Sequence, residues 1–219
     1  MSWVVGIDEV GCGALAGPVV AAACWLEEKA LASHPLFPFV RDSKTLSEKK
    51  REEVAAFLTE MSPACCHFAF GQASREEIDT LNILRARLLA MARAYQALDR
   101  PASLVLVDGS HLPDLGSTSV RGVIKGDALD RRIAGASIVA KVFRDHEMRR
   151  LHALFPVYGW DRNKGYGTEE HRTALRLYGC SPHHRVSFCR NLPLAKDHDR
   201  YIMEIKVSVD SSNEDGDLC

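Results

Sequence analysis

An apolar segment that runs into two acids and a glycine-rich turn constrains the fold of this chain more than any other feature. Residues 4–7 predict a buried strand, Asp8 and Glu9 follow it, and a turn rich in glycine continues to Pro18. Carboxylates at the end of a buried strand can hold divalent cations, and glycines let backbone amides approach a phosphate or a hydroxyl. A strand with a tight turn and two solvated acids explains this segment alone equally well.

The bulk composition predicts one globular, cytoplasmic protein. The chain has 219 residues, of which 46% are hydrophobic and 26% are charged. No apolar run approaches the ~18 residues of a membrane span, and the N-terminal residues lack the pattern of a secretory signal. The seven cysteines include no C-x-x-C pair, which argues against a zinc site or a disulfide framework.

The charges are unevenly distributed along the chain. The formal net charge is −1, but residues 208–219 carry four acids and no base, which predicts a disordered tail. Residues 121–190 hold 14 Lys and Arg against 7 Asp and Glu. This basic excess fits either a groove for a polyanion or an ordinary helix surface with ion pairs.

Hydrophobic periodicity predicts strands mixed with helices, which indicates an α/β core. One helix begins near Ser47, its candidate N-cap. The clearest helix covers residues 80–98, with an apolar stripe of Leu, Met and Tyr expected in the core, and another follows Asp127. The remainder from Leu151 predicts helices and loops. Strands are expected at residues 4–7, 19–26, 65–71, 104–107 and 119–124.

Three of the predicted strands end in acidic residues. Asp8 and Glu9 follow the first, Asp108 follows the fourth, and Asp127 comes just after the fifth. Strand ends on one side of an α/β sheet are common ligand sites, and converging carboxylates repel one another unless cations lie between them. Hard oxygen ligands without His or Cys favour Mg²⁺ or Mn²⁺, and two such ions can activate a water and stabilise a leaving oxygen.

Each acid also has a simpler interpretation. Asp108 could form a turn, Asp127 could cap the helix that follows, and Glu9 could be exposed to solvent. Adjacent residues of a strand point to opposite faces, so Asp8 and Glu9 share a site only if the strand bends or ends there.

Asp145 competes with Asp127 for the fourth position. It lies 18 residues further along (145 − 127), about 27 Å away along a continuous helix. The two acids then cannot bind the same ions. Asp127 is preferred because it follows a strand, and Asp145 is expected to be a surface acid or to support the site indirectly.

Several motifs, in order along the chain, resemble those of ribonuclease HII, the type 2 ribonuclease H. The resemblance covers roughly residues 4 to 190. It is carried by residues 8–19 (DEVGCGALAGPV), 42–44 (DSK), 107–109 (VDG), 125–127 (KGD), 136–145 (ASIVAKVFRD) and 164–168 (KGYGT).

The resemblance implies an α/β fold of the RNase H type, a mixed central sheet flanked by helices with a C-terminal helical extension. The catalytic domain would span residues 1–207, with a core to about 150 and the extension from about 151, followed by the tail at 208–219. His183 and His184 lie in a family-like segment and are expected to be structural or close to a phosphate.

The resemblance also implies an endonuclease that degrades RNA in RNA–DNA hybrids and incises 5′ to single ribonucleotides in duplex DNA, a step of ribonucleotide excision repair. Two-metal-ion hydrolysis with Mg²⁺ or Mn²⁺ would leave 5′-phosphate and 3′-hydroxyl ends. The partners would be these two nucleic acids, with no membrane and no obligate protein partner. The matching catalytic and metal-binding acids are Asp8, Glu9, Asp108 and Asp127.

Six further residues match the family's substrate contacts: Gly11, Cys12, Gly13, Ser43, Lys44 and Tyr166. The family usually has arginine where this chain has Cys12. Recognition of a 2′-hydroxyl by the loop backbone can survive this change, whereas a guanidinium contact to phosphate cannot. We therefore expect activity to be retained with weaker affinity for nucleic acid.

Two other functions fit parts of the pattern. Another two-metal nuclease on the same fold, such as a Holliday-junction resolvase or a transposase core, would also carry acids at strand ends. The glycine-rich loop together with Tyr166 favours ribonucleotide sensing over that alternative. A non-catalytic duplex-binding module would lack one of the carboxylates, and all four are present.

Overall fold

The computed structural model describes residues 3–41 and 43–192 in two compact units. The first comprises the chain up to Gly13 together with residues 18–147, and the second comprises Ala14–Gly17 and the chain from Met148 onward. The acidic tail predicted at residues 208–219, and residues 193–207 of the predicted extension, lie outside the described residues.

A five-stranded mixed sheet forms the centre of the first unit, as the sequence predicts. Its strand order is β3-β2-β1-β4-β5. The first three strands pair antiparallel, whereas β1 pairs parallel with β4 and β4 with β5. The strands are β1 (Val4–Val10), β2 (Val19–Leu26), β3 (Cys66–Ala73), β4 (Leu104–Asp108) and β5 (Val120–Val123).

Helices occupy most of the remaining described chain. Ser47 is the N-cap of the second helix, as predicted, because its side chain accepts a hydrogen bond from the amide of Lys50. The helices are α1 (Glu28–Leu31), α2 (Glu48–Glu60), α3 (Arg75–Leu81), α4 (Ile83–Ala97), α5 (Gly126–Leu129), α6 (Arg131–Leu154), α7 (Trp160–Asn163), α8 (Glu169–Tyr178) and α9 (Val186–Cys189), with 3₁₀ turns at Phe37–Phe39, Ser43–Thr45 and Pro156–Tyr158.

Two glycines let helices approach opposite faces of the sheet. A Cβ at Gly6 of β1 would lie 2.3 Å from the carbonyl carbon of Arg132, at the start of α6. A Cβ at Gly71 of β3 would lie 2.2 Å from the carbonyl oxygen of Ala90 in α4. Gly6 aligns across β2 with Phe68, and residues 68 and 71 are three positions apart, so they face opposite sides. Helices α6 and α4 therefore cover the two faces.

The structure corrects the predicted helix at residues 80–98. The helix is broken at Asn82, whose φ of +70° ends α3 and whose side chain caps α4. Met91 and Leu98 of the predicted stripe are buried, whereas Leu84 is 40% exposed and the small residues Ala86, Ala90 and Ala94 are buried instead. The close approach of α4 to the β-sheet at Gly71 favours such small side chains.

Two other boundaries of secondary-structure elements differ from the predicted ones. The first strand was expected to end at residue 7, but β1 continues through Asp8 and Glu9 to Val10. The helix expected after Asp127 is interrupted at Asp130, which has extended backbone angles between α5 and α6. No helix among the described residues is both long and apolar enough to cross a membrane.

The second unit has its own core, and buried histidines form part of it. The indole Nε1–H of Trp160 donates to His171 Nε2 at 3.1 Å, and His184 Nε2 lies 2.9 Å from the same nitrogen. His171 Nδ1 lies 3.0 Å from the carbonyl oxygen of Tyr166, which can only accept, so Nδ1 carries the proton and Nε2 accepts. The structural role expected for His184 is therefore observed, in a neutral, fully buried network.

Candidate active site

Asp8 and Asp108 lie at matching positions of two neighbouring parallel strands. In the register of β1 and β4, Ile7 is opposite Val107, and each acid is the next residue along its strand. Adjacent strands are about 4.8 Å apart and equivalent positions share a face, so the two carboxylates are neighbours. The chain thus brings together two acids separated by a hundred residues of sequence.

Asp127 joins this pair through the turn before it. The amide of Gly126 donates a 2.7 Å hydrogen bond to Asp108 Oδ1, and Asp127 is the next residue. The Asp127 side chain is almost completely buried, and its Oδ2 lies 3.0 Å from the ammonium of Lys44, which is itself 77% exposed. Asp127 therefore lies beside Asp108 and has a solvent-accessible cation as its partner.

Burial and neighbouring acids make ionisation of Asp8 unfavourable. Burial raises the pKa of the Asp8 carboxyl well above its ordinary value, and the charges of Glu9 and Asp108 raise it further. A hydrogen bond from Ser137 of α6 and one from the amide of Glu9, at 2.8 Å, act in the opposite direction. Bound cations would relieve this concentration of negative charge.

Glu9 faces the other side of the sheet. It aligns across β2 with Gly71, on the face covered by α4, whereas Asp8 contacts Ser137 on the face covered by α6. Its Oε1 accepts from Arg87 Nη1 at 3.0 Å. Burial raises the pKa of Glu9, and the charge of Arg87 partly offsets that effect. Because β1 continues past both acids, the strand end that would bring them onto one face is not observed.

The glycine-rich loop after β1 has a constrained backbone at its start and open space further on. Gly11 has a φ of +94°, and a Cβ there would lie 2.2 Å from Nε of the buried Arg144. Around Gly13, by contrast, a Cβ would meet nothing within 4 Å. The Cys12 thiol donates to Glu9 Oε1 at 3.6 Å. Gly13 thus offers the space that a close substrate approach needs.

Ser43 and Tyr166, two other predicted substrate contacts, have internal partners. The Ser43 hydroxyl is buried and lies 2.8 Å from that of Ser137. Tyr166 belongs to the second unit, where its backbone pairs with Ala14 and its side chain is half-buried. The substrate roles of both residues stay predictions.

Asp145 and several bases of the segment 121–190 form ion pairs. Asp145 is buried, which excludes the surface role among the two expected for it, and it binds Lys141 at 2.5 Å and Arg51 at 3.8 Å. Other bases of the segment 121–190 pair likewise, among them Arg132 with Asp130 and Arg176 with Glu169. Ion pairs therefore account for part of this charge.

The acids fit a divalent cation by their chemistry. Carboxylate oxygens suit Mg²⁺ and Mn²⁺, and such an ion would offset both the burial and the neighbouring charges that raise the pKa of Asp8. In the described part of the chain, however, no three His, Cys, Asp or Glu side chains are already arranged around one cation position. Lys44 and Arg87 instead serve as counter-ions of Asp127 and Glu9.

Comparison with known proteins identifies the family. The family model described as Ribonuclease HII matches residues 5–191. This chain belongs to the ribonuclease HII family. Ribonuclease HII of Paramagnetospirillum magneticum is 52% identical over 84% of this chain and 89% of its own length. That of Anaplasma marginale is 47% identical over 86% of this chain and 74% of its own length. The chain is accordingly a ribonuclease H, a metal-dependent hydrolase with endonuclease activity on RNA–DNA hybrids.

Solved structures confirm the RNase H-type fold. The ribonuclease HII of Archaeoglobus fulgidus, solved in complex with PCNA, superposes with a TM-score of 0.68 at 27% identity, covering 84% of this chain and 93% of that one. Ribonuclease H2 of Pyrococcus horikoshii gives 0.72 at 24% identity, covering 87% and 97%. A ribonuclease HIII in complex with Mn²⁺ gives 0.60 at 19% identity, covering 96% and 71%.

Sequence reasoning missed two residues that contact the candidate acids. Ser137 lies inside a motif that carries the family resemblance, so its proximity to an acid could have been suspected. Arg87 is one of several arginines on α4, and nothing in its sequence context distinguishes it from Arg85 or Arg93. Only the fold shows that Arg87 reaches Glu9.

Proposed function

We propose that this ribonuclease HII, besides cleaving RNA in hybrids, incises duplex DNA on the 5′ side of a single embedded ribonucleotide. The reaction is a two-metal-ion hydrolysis that uses Mg²⁺ or Mn²⁺ and leaves 5′-phosphate and 3′-hydroxyl ends. Such an activity would serve ribonucleotide excision repair.

The placement of Asp8, Asp108 and Asp127 carries this proposal. Two of the acids lie side by side on parallel strands, and the third follows a residue that is hydrogen-bonded to one of them. Burial and the charges of Glu9 and Asp108 raise the pKa of Asp8, so bound cations would favour its ionised form.

The residues of the site would have different roles in the reaction. When bound, the two cations supply an activated water and stabilise the negative charge that develops at the scissile phosphate. Asp8, Asp108 and Asp127 would hold them, with Glu9 as the fourth carboxylate. The exposed ammonium of Lys44, beside Asp127, can bind a phosphate of the substrate strand.

Selection of the ribonucleotide is assigned to the loop Gly11–Gly13 and to Tyr166. Gly13 leaves room for its backbone to approach a 2′-hydroxyl, the group that distinguishes RNA from DNA. The contact of Tyr166 with the ribonucleotide rests on the family resemblance. An aromatic ring with a hydroxyl can both stack on a sugar or base and hydrogen-bond.

A cleavage assay on four duplexes tests the proposal. The duplexes are identical in sequence and carry no ribonucleotide, one ribonucleotide, a short RNA tract, or a full RNA strand, each assayed with Mg²⁺, Mn²⁺ or EDTA. We expect cation-dependent incision 5′ to the single ribonucleotide, with product ends that DNA ligase can reseal. Asp8→Asn and Asp127→Asn should each lose at least about 100-fold in rate.

The other outcomes point to the alternative functions. Cleavage of the all-DNA duplex would favour a resolvase- or transposase-like nuclease. Binding of every duplex without cleavage would favour a non-catalytic module. Cleavage of the RNA tract, but not at the single ribonucleotide, would leave only the hybrid nuclease activity of the family.

A further inference from the structure

Arg87 forms a largely buried ion pair with one of the four acids. Its Nη1 lies 3.0 Å from Glu9 Oε1, and the two side chains are only 23% and 12% exposed. Ion pairs removed from solvent are less screened than surface pairs, so this contact constrains the carboxylate. The Cys12 thiol donates to the same oxygen.

The ion pair holds the Glu9 carboxylate on the face of the sheet opposite Asp8. Arg87 extends from α4, which covers one face of the sheet, and Asp8 lies on the face covered by α6. For Glu9 to share a cation with Asp8, its carboxylate has to move towards the face of the sheet on which Asp8 lies. The contact with Arg87 opposes that movement, which agrees with the lack of any three-ligand cation group in the described structure.

The charge of Arg87 also opposes a cation directly. A guanidinium within hydrogen-bond distance of a carboxylate oxygen repels any dication that binds the same carboxylate. Because a guanidinium keeps its charge in proteins, the pair has to loosen or share the carboxylate when the cation binds.

We propose that Arg87 is a positioning residue that competes with the divalent cation for Glu9. In the metal-free enzyme it holds the Glu9 carboxylate on the α4 face, and it gives up that carboxylate when the cation binds. This inference rests on the proposed function, because it requires Glu9 to belong to the cation site.

Calorimetric titration of the whole metal-free protein with Mn²⁺, without nucleic acid, tests the inference. Arg87→Gln should tighten Mn²⁺ binding about three- to tenfold, because the competing charge is removed. Arg87→Lys keeps the charge and should stay near the wild-type affinity. Arg93→Gln is the matched control, since it removes an arginine of the same helix that pairs with Glu77 instead. Arg87→Met replaces the Gln variant if that variant does not fold.

A double-mutant cycle separates action through Glu9 from a general charge effect. In a Glu9→Gln background, the Arg87→Gln substitution should change Mn²⁺ affinity less than twofold. A tightening that persists there, or an unchanged or weaker affinity in Arg87→Gln alone, would overturn the inference. Failure of the proposed function would give a different result. In that case, Asp8→Asn would bind Mn²⁺ with the same affinity as the wild type.

Discussion

The amide of Gly126 donates a 2.7 Å hydrogen bond to Asp108 Oδ1. This contact ties the end of β4 to the start of α5, and so it places Asp127 beside Asp108. The Asp108 carboxylate therefore stabilises the local fold through one oxygen, and in the proposed function its charge would also help to hold a cation.

Substitutions of Asp108 should separate these two tasks. Asp108→Asn keeps an oxygen for the Gly126 amide but removes the charge, whereas Asp108→Ala leaves the amide without its acceptor. We expect both variants to lose cation-dependent cleavage by at least about 100-fold. Only the Ala variant should also lose about 1–2 kcal/mol in free energy of unfolding. Urea denaturation in EDTA measures the difference, and equal stabilities of the two variants would contradict it.

The ionised carboxylate of Asp8 should lower the free energy of unfolding of the metal-free protein. Its folded-state pKa is raised above the unfolded value of about 3.9, so the folded state binds the proton more tightly. Its contribution to stability is greatest below that unfolded pKa and is lost as the pH rises through the folded pKa. At pH 8 in EDTA, Asp8→Asn should therefore be more stable than the wild type by about 1 kcal/mol.

Denaturation curves in EDTA at several pH values check this expectation. The advantage of the Asn variant should shrink towards acid pH. Addition of Mn²⁺ should stabilise the wild type but not the variant, since a ligand that binds only the folded state adds to its stability. An Asn variant that is less stable than the wild type at pH 8 would refute the electrostatic account of Asp8.

Sequence patterns predicted the strands well because each strand is an apolar run bounded by a turn or an acid. The five predicted strands are all present, with ends displaced by up to three residues. The acids at the ends of β1 and β4 could be placed together because parallel neighbouring strands end at the same edge. The family motifs supplied the order of the elements.

The structural features that the sequence did not predict depend on tertiary contacts. A break at Asn82 divides the helix that the apolar stripe predicts to be continuous, and no Gly or Pro marks this position in the sequence. The buried alanines of α4 follow from its approach to Gly71, a distance that one helix alone does not encode. The contact of Arg87 with Glu9 likewise joins residues 78 positions apart.

Alanine substitutions of Gly11 and Gly13 form a matched pair that tests the loop proposed to contact the substrate. Gly11→Ala introduces a Cβ at a φ of +94° and 2.2 Å from Arg144 Nε, so it should lower the free energy of unfolding by about 2–3 kcal/mol. Gly13→Ala meets nothing within 4 Å and should leave stability unchanged. If the loop backbone approaches the substrate, Gly13→Ala should still raise KM for the single-ribonucleotide duplex. Unchanged kinetics in this variant would speak against that approach.

The histidine network of the second unit should make stability depend on pH. Burial lowers the pKa of His171 below its ordinary value of about 6.5. Its neutral form thus stabilises the fold above that value, and the contribution is lost as the pH falls through the folded pKa. In His171→Gln, the rise in free energy of unfolding between pH 5 and pH 7 should be smaller. The exposed His111→Gln is the control, and an identical pH profile in all three proteins would exclude the effect.

The residue at position 12 should set the affinity for nucleic acid. Cys12 directs its thiol to Glu9 and offers no cation to a phosphate. The family resemblance implies an arginine at this position. Cys12→Arg should bind a hybrid duplex about three- to tenfold more tightly, and log Kd should depend more steeply on log salt by about one unit, as one added phosphate contact requires. Cys12→Gln matches the larger size without the charge and should bind like the wild type. Fluorescence anisotropy at four salt concentrations in EDTA measures both effects, and an affinity of Cys12→Arg equal to that of Cys12→Gln across the series would show that position 12 contacts no phosphate.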